Sequence, residues 1–206
     1  MLILHSWQLS PNAFKVRVVL HELALPFQLR EVEILKGAGQ SPEHLALNPN
    51  GKVPVLEDDA LVLWESNAIL LYLARKSVRL LPQEPAGQAL VDQWLNWQAA
   101  HFYQPVVALA LERIVKPMFQ QPADESLVQS QVREFERMCA VLEKHLAQYE
   151  YLTGELSVAD FAVASTLQPR EQLGVQIKSF RFLSDWLAQL EARPSWQKAL
   201  SLPAVA

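Results

Sequence analysis

The hydrophobic pattern changes character along the chain. Short apolar runs separated by turns fill the first third, and apolar positions at helical spacing fill the rest. Leu2-Ile3-Leu4-His5 is a brief apolar run and predicts a buried strand. After a polar loop from Ser6 to Pro11, the segment Asn12 to Leu25 places Val16, Val19, Leu20 and Leu23 on one helical face, with Lys15, Arg17 and Glu22 away from it. Ser10-Pro11 fits an N-cap followed by proline at the first helical position. Phe27 to Ile34 alternates apolar and polar residues and predicts a second strand. Lys36 to Gln40 is a glycine-rich loop, and Ser41-Pro42-Glu43 opens a short helix ending near Leu47. Asn48-Pro49-Asn50-Gly51 is a turn signal. Val53 to Leu56 and Leu61 to Trp64 then predict two strands around an acidic turn at Asp58-Asp59. Glu65-Ser66-Asn67 precedes an amphipathic helix carrying Ile69, Leu70, Tyr72 and Leu73.

Ser77 to Gly87, with Pro82 and Pro85, reads as a linker. Beyond it every segment has helical periodicity. One runs from Gln88 to about Lys116 and should be kinked or loosened by Pro105. Others cover Asp124 to Tyr149, Leu156 to about Gln168, Phe180 to Leu190, and a short stretch after Pro194. No strand-like alternation appears past residue 90. The expected class is therefore α+β: βαβ then ββα, a thioredoxin-like arrangement over residues 1–77, a linker at 78–86, and an all-α helical bundle over 87–206.

Charge and composition narrow the function. The chain has 206 residues, half of them apolar, and a formal net charge of −4 without a basic run, so a nucleic-acid face is not expected. No apolar stretch reaches membrane-spanning length, and Met1 to His5 lacks the form of a signal peptide, so the reading is a cytoplasmic protein. A single cysteine, Cys139, excludes an intramolecular disulfide and a CxxC pair, and its apolar stripe with Phe135 and Leu142 marks it as packing.

Three stretches carry candidate chemistry. Glu65-Ser66 at the start of a helix sets a carboxylate beside unpaired N–H groups, which suits a zwitterionic head group, although the pair could simply cap the helix. Pro54 inside an apolar strand marks an edge or a special bond, and a cis Val53-Pro54 would turn the Val53 backbone outward to pair with an extended ligand. Ser10 either caps its helix or donates to a bound thiolate. Asn12 is either a turn residue or a second donor to the same sulfur. Lowering a thiol pKa by about two units from 8.5 takes about 2.7 kcal/mol. One charge-assisted hydrogen bond, about 1.5–3 kcal/mol, with a helix N-terminus, about 0.3–1, is sufficient without a metal.

Lys52-Val53-Pro54 followed by Glu65-Ser66 resembles the glutathione-binding core of cytosolic glutathione transferases. The resemblance implies a homodimeric enzyme that joins the thiolate of its co-substrate glutathione to small hydrophobic electrophiles, with no metal cofactor. It implies a cis Pro54, Val53 paired with the cysteinyl backbone, and Glu65 and Ser66 on the γ-glutamyl end. Lys52 would take the glycyl carboxylate together with Gln40, since the histidine usual in that loop is missing here. Ser10 matches the catalytic serine of theta- and phi-like members, while Ser10-Pro11-Asn12 is similar to a Thr-Pro-Asn loop of bacterial members that reduce disulfides through the asparagine. Tyrosine- and cysteine-dependent classes do not fit, because the first tyrosine is Tyr72 and no cysteine lies near position 10. Trp97, His101, Phe102 and Arg113 would line the electrophile pocket, unless the aromatics are ordinary core. Ser157-Val158-Ala159-Asp160 matches the family's capping box and reads as folding rather than catalysis. The alternatives are a glutathione-dependent disulfide or peroxide reductase, and a non-catalytic binding module on the same fold.

Overall fold

The computed structural model describes residues 1–201, which form two compact units, 1–81 with 191 onward, and 82–190. In the first unit the order is β1 (Leu2–Ser6), α1 (Pro11–Glu22), β2 (Phe27–Glu31), two 3-10 turns (Ile34–Lys36 and Ala38–Gln40), α2 (Pro42–Leu47), β3 (Val55–Asp58), β4 (Leu61–Trp64) and α3 (Ser66–Ser77). The sheet order is β2-β1-β3-β4, with β1 parallel to β2 and β3 antiparallel to both β1 and β4. This is the expected βαβ-ββα arrangement. Leu4, Val55 and Leu56 are fully buried, as are Val16, Val19 and Leu20 of α1 and Ile69, Leu70 and Leu73 of α3.

Strand β3 begins two residues later than the apolar run predicts and takes in Glu57 and Asp58. Backbone pairing decides its extent: Glu57 lies opposite Ile3, and Asp58 opposite Leu2. Both acids find partners, Glu57 with His5 at 2.7 Å, and Asp58 with Tyr72 and Lys76, each at 2.5 Å.

Lys15 and Arg17 lie away from the apolar face of α1, as the spacing predicts, yet they are buried, 1% and 2% exposed. Helix α1 is covered by α3, by the sheet and by the last helix, α10 (Pro194–Leu200), so all its residues from Ala13 to Leu20 are buried. That last helix packs with the first unit, not with the helical one. Arg193 donates to both carboxylate oxygens of Glu22 at 2.6 and 3.1 Å, Ser195 donates to the same carboxylate at 2.5 Å, and Trp196 meets Phe14 edge-on at 4.9 Å.

The second unit is all-α: α4 (Pro85–Trp97), α5 (Tyr103–Ala110), α6 (Lys116–Met118), α7 (Glu125–Leu146), α8 (Val158–Thr166) and α9 (Arg181–Glu191), the last ending at the unit boundary. Around Pro105 the helical run is loosened, as expected: a π-turn at Gln98–Phe102 precedes it, and a second at Leu111–Val115 follows. Glu143 of α7 caps α9, accepting from the N–H groups of Phe182 and Leu183. Ser157 and Asp160 form a reciprocal capping box on α8.

Candidate functional site

Every candidate segment of the first unit leaves the same end of the sheet. His5 of β1 pairs with Val55 of β3, and Val55 pairs with Trp64 of β4. The loop to Ser10, the approach Lys52–Pro54 and the step into Glu65–Ser66 therefore start from neighbouring positions on three adjacent strands.

The approach to β3 is held by its backbone. Gly51 sits at φ +64, a region open to glycine, and a side chain at Gly39 would meet the Gly51 carbonyl at 2.3 Å. This close crossing lays the Gln40 amide over Gly51. The Lys52 carbonyl accepts from the Asn48 amide at 2.8 Å and from His44 Nε2 at 3.0 Å. A carbonyl only accepts, so the proton of His44 is on Nε2. Val53-Pro54 is cis, and the Val53 N–H and C=O make no hydrogen bond among the described residues.

Glu65 stands at φ +70, ψ +105, a conformation that a side-chain-bearing residue rarely adopts. Its carboxylate makes no capping bond and is exposed, so the reading of Glu65 as a helix cap is not what the structure shows. Ser66 follows at the first position of the twelve-residue α3, with its side chain largely buried. An uncommitted carboxylate thus sits next to a helix N-terminus whose first N–H groups have no intrahelical acceptor.

Ser10 does cap α1: its Oγ accepts from the Ala13 N–H at 3.2 Å. This leaves the hydroxyl proton for another acceptor, so capping and thiolate binding are compatible. Asn12, half-buried, lies in the first turn of the same helix.

Family models described as the N-terminal and C-terminal domains of glutathione S-transferase match residues 1–75 and 103–194. Glutathione S-transferase 3 of Zea mays is 33% identical, with 96% of this chain and 92% of that protein covered. This chain belongs to the glutathione S-transferase family. Glutathione S-transferase GstB of Escherichia coli K12 is 31% identical over 94% of this chain and 95% of its own length. A crystal structure of a glutathione transferase from Pseudomonas putida, with one glutathione disulfide per subunit, superposes with a TM-score of 0.88 at 29% identity, covering 98% of this chain and 92% of that one.

In this transferase the sequence-predicted residues of the helical unit fare unevenly. Phe102 is fully buried, stacked on Trp97 at 5.3 Å and on Phe135 at 5.8 Å, so it is core and presents no surface to a substrate. Arg113 donates to the Leu173 carbonyl, so this guanidinium ties the 167–177 segment down. Trp97 is half-buried and His101 exposed. Burial pushes the Cys139 thiol up, which makes it inert. Among the described residues no helix is long and apolar enough to cross a membrane, and no cluster of three or more His, Cys, Asp or Glu could hold a metal ion.

Four side chains that hold the candidate segments in place were not among the sequence candidates: His44, Asn48, Lys15 and Arg17. His44 and Asn48 act through a backbone carbonyl, which a search for chemistry-bearing pairs passes over. Lys15 Nζ donates to Asn67 Oδ1 at 2.5 Å, joining the second turn of α1 to the first turn of α3. Burial lowers its pKa to about 7, partly countered by the Glu65 carboxylate.

This shift has a measurable consequence for stability. Between about 7 and 10.5 the unfolded chain holds a proton on Lys15 that the folded chain has released. Stability therefore rises with pH through that window, by about 1.36 kcal/mol per unit at full effect. From pH 7 to pH 9 wild type should gain about 2–3 kcal/mol relative to Lys15→Met. Urea unfolding of both proteins at three pH values checks this, and parallel pH profiles would show that Lys15 stays charged in the fold.

Proposed function

We propose that this transferase binds glutathione extended across the end of the sheet and transfers its thiolate to a small hydrophobic electrophile. The observation that carries the reading is the shared starting line of the three loops, set by the His5–Val55–Trp64 register. The Val53 N–H and C=O pair with the cysteinyl backbone of the ligand. The Ser66 hydroxyl and N–H donate to the γ-glutamyl carboxylate, and Glu65 accepts from the ammonium. Lys52 and the Gln40 amide donate to the glycyl carboxylate. Ser10 donates its hydroxyl proton to the sulfur, which lowers the thiol pKa so that the proton leaves to solvent. The thiolate then forms the new C–S bond as the electrophile's leaving group departs.

The reading includes the family's homodimer and a cytoplasmic location. Support for a partner surface comes from strand β4, a sheet edge with Leu61, Val62 and Trp64 partly exposed.

The test follows the ultraviolet absorbance of bound glutathione thiolate through a pH titration in wild type, Ser10→Ala and Asn12→Ala. The expected thiol pKa in wild type is about 6–7, rising by about two units in Ser10→Ala. A low value that only Asn12→Ala raises would give the sulfur to Asn12 and favour disulfide reduction. Failure of wild type to bind glutathione would leave a non-catalytic module.

A further inference from the structure

The loop that carries Ser10 rests on a buried guanidinium. Arg17, two turns into α1, is 2% exposed. Its Nη1 donates to Ser6 Oγ at 2.6 Å and to the Trp7 carbonyl at 3.4 Å, and its Nη2 donates to the Gln8 carbonyl at 3.4 Å. The same Trp7 carbonyl accepts from the Ser10 N–H at 3.1 Å. Glu31, on β2, holds the other side of the loop by accepting from the Gln8 N–H at 2.9 Å. The Phe14 ring lies 5.5 Å from the guanidinium carbon and is in turn packed by Trp196 of α10.

We propose that Arg17 is a positioning residue for thiolate formation, holding the Trp7–Ser10 loop so that the Ser10 hydroxyl is aimed at the sulfur. The proposal rests on the reading of Ser10 given above and adds the group that fixes its geometry.

The cost of Arg17 argues for a purpose beyond packing. Burial lowers its pKa to about 10 even with the Glu31 carboxylate nearby, so at neutral pH a desolvated charge is retained. Among the described residues, Arg17 Nε and Glu31 Oε2 are both buried without a hydrogen-bond partner. An apolar side chain of similar length commonly serves stability as well as or better than such a pair. What it cannot do is gather the end of β1 and two carbonyls of the following loop with a rigid fork of donors. Ser6 is the last residue of β1, and the Trp7 and Gln8 carbonyls lie on the chain between β1 and α1, which has no strand pairing beyond Ser6 to hold it.

The experiment compares Arg17→Met, Arg17→Lys and Ser10→Ala with wild type by the absorbance titration of bound glutathione, by turnover, and by amide hydrogen exchange without ligand. In Arg17→Met, folded by circular dichroism, glutathione affinity should stay near wild type, because the proposed peptide and γ-glutamyl contacts lie on the approach to β3 and at the start of α3. The bound thiol pKa should rise by about one unit, and kcat should fall about tenfold. The Ser10 and Ala13 amides should exchange about tenfold faster, while those of Val18 to Leu20 are unchanged. If Ser10→Ala raises the thiol pKa and a folded Arg17→Met does not, the proposal is overturned while the Ser10 reading stands. If Ser10→Ala leaves the pKa unchanged, the Ser10 reading fails and this proposal fails with it. Should Arg17→Met not fold, Arg17→Lys decides: its point charge cannot span the Trp7 and Gln8 carbonyls together, so faster exchange at Ser10 and Ala13 supports the proposal and wild-type exchange overturns it.

Discussion

Asp160→Ala is expected to lose about 4 kcal/mol of folding stability, because it strips the acceptor from several buried donors at about 1–3 kcal/mol each. The side chain is fully buried at the third position of α8. It accepts from the Leu152 N–H at 2.9 Å, the Ser157 N–H at 2.9 Å, the Ser157 hydroxyl at 3.1 Å and Trp186 Nε1 at 3.2 Å. Alanine leaves these donors in an interior that water does not reach, since every residue from Val158 to Thr166 is buried. Each orphaned donor costs about 1–3 kcal/mol, while the serine hydroxyl can rotate to another acceptor. A domain of this size has only about 5–15 kcal/mol in total, so the loss removes a large share of it. Asp160→Asn keeps one acceptor oxygen and should lose about half as much. Urea denaturation of the two variants decides this. A loss below about 1 kcal/mol in Asp160→Ala would reduce the carboxylate to an ordinary cap residue.

The contrast between Asp160 and Lys15 shows which parts of the molecule could be read in advance. Ser157 and Asp160 are three residues apart, and their interaction is local, so the spacing alone announces it. The same holds for Glu65-Ser66 ahead of an apolar helical stripe and for proline within an apolar run. Lys15 and Arg17 lie on a helix whose periodicity suggests one covered face, yet α3, α10 and the sheet cover it from several sides. A charged residue on such a helix is legible only when its partners are known. Asn67 is 52 residues from Lys15, and Glu31 is 14 residues from Arg17 on another element. The placement of α10 fails for the same reason, because the Glu22–Arg193 pair is separated by 171 residues. The two-residue shift of β3 belongs here too. A charged pair looks like the end of a strand unless the side chains that receive it, His5, Tyr72 and Lys76, are in view.

Glu65→Gly should weaken glutathione binding about 10- to 100-fold and yet make the protein slightly more stable. The two effects come from different parts of one residue. The carboxylate accepts from the ligand ammonium in the proposed complex, and a charge-assisted hydrogen bond of that kind is worth about 1.5–3 kcal/mol. The backbone sits at φ +70, ψ +105, which costs a residue with a side chain about 1–3 kcal/mol and costs glycine almost nothing. Against this relief stands the extra freedom of glycine in the unfolded chain, about 0.5–1 kcal/mol. The net gain is then about 1 kcal/mol. The measurement belongs at pH 8, where Lys15, at about 7, is mostly neutral and does not feel the loss of its neighbouring carboxylate. At pH 6 Lys15 is charged, and losing Glu65 should cancel part of the gain. Glu65→Gln keeps the strained backbone and a neutral acceptor, so its affinity should fall about tenfold, with stability unchanged. Calorimetric titration with glutathione and thermal unfolding read both quantities. Weaker binding accompanied by lower stability in Glu65→Gly would mean that the residue supports the turn into α3. Weaker binding with higher stability identifies a strained backbone kept in place for the ligand it serves.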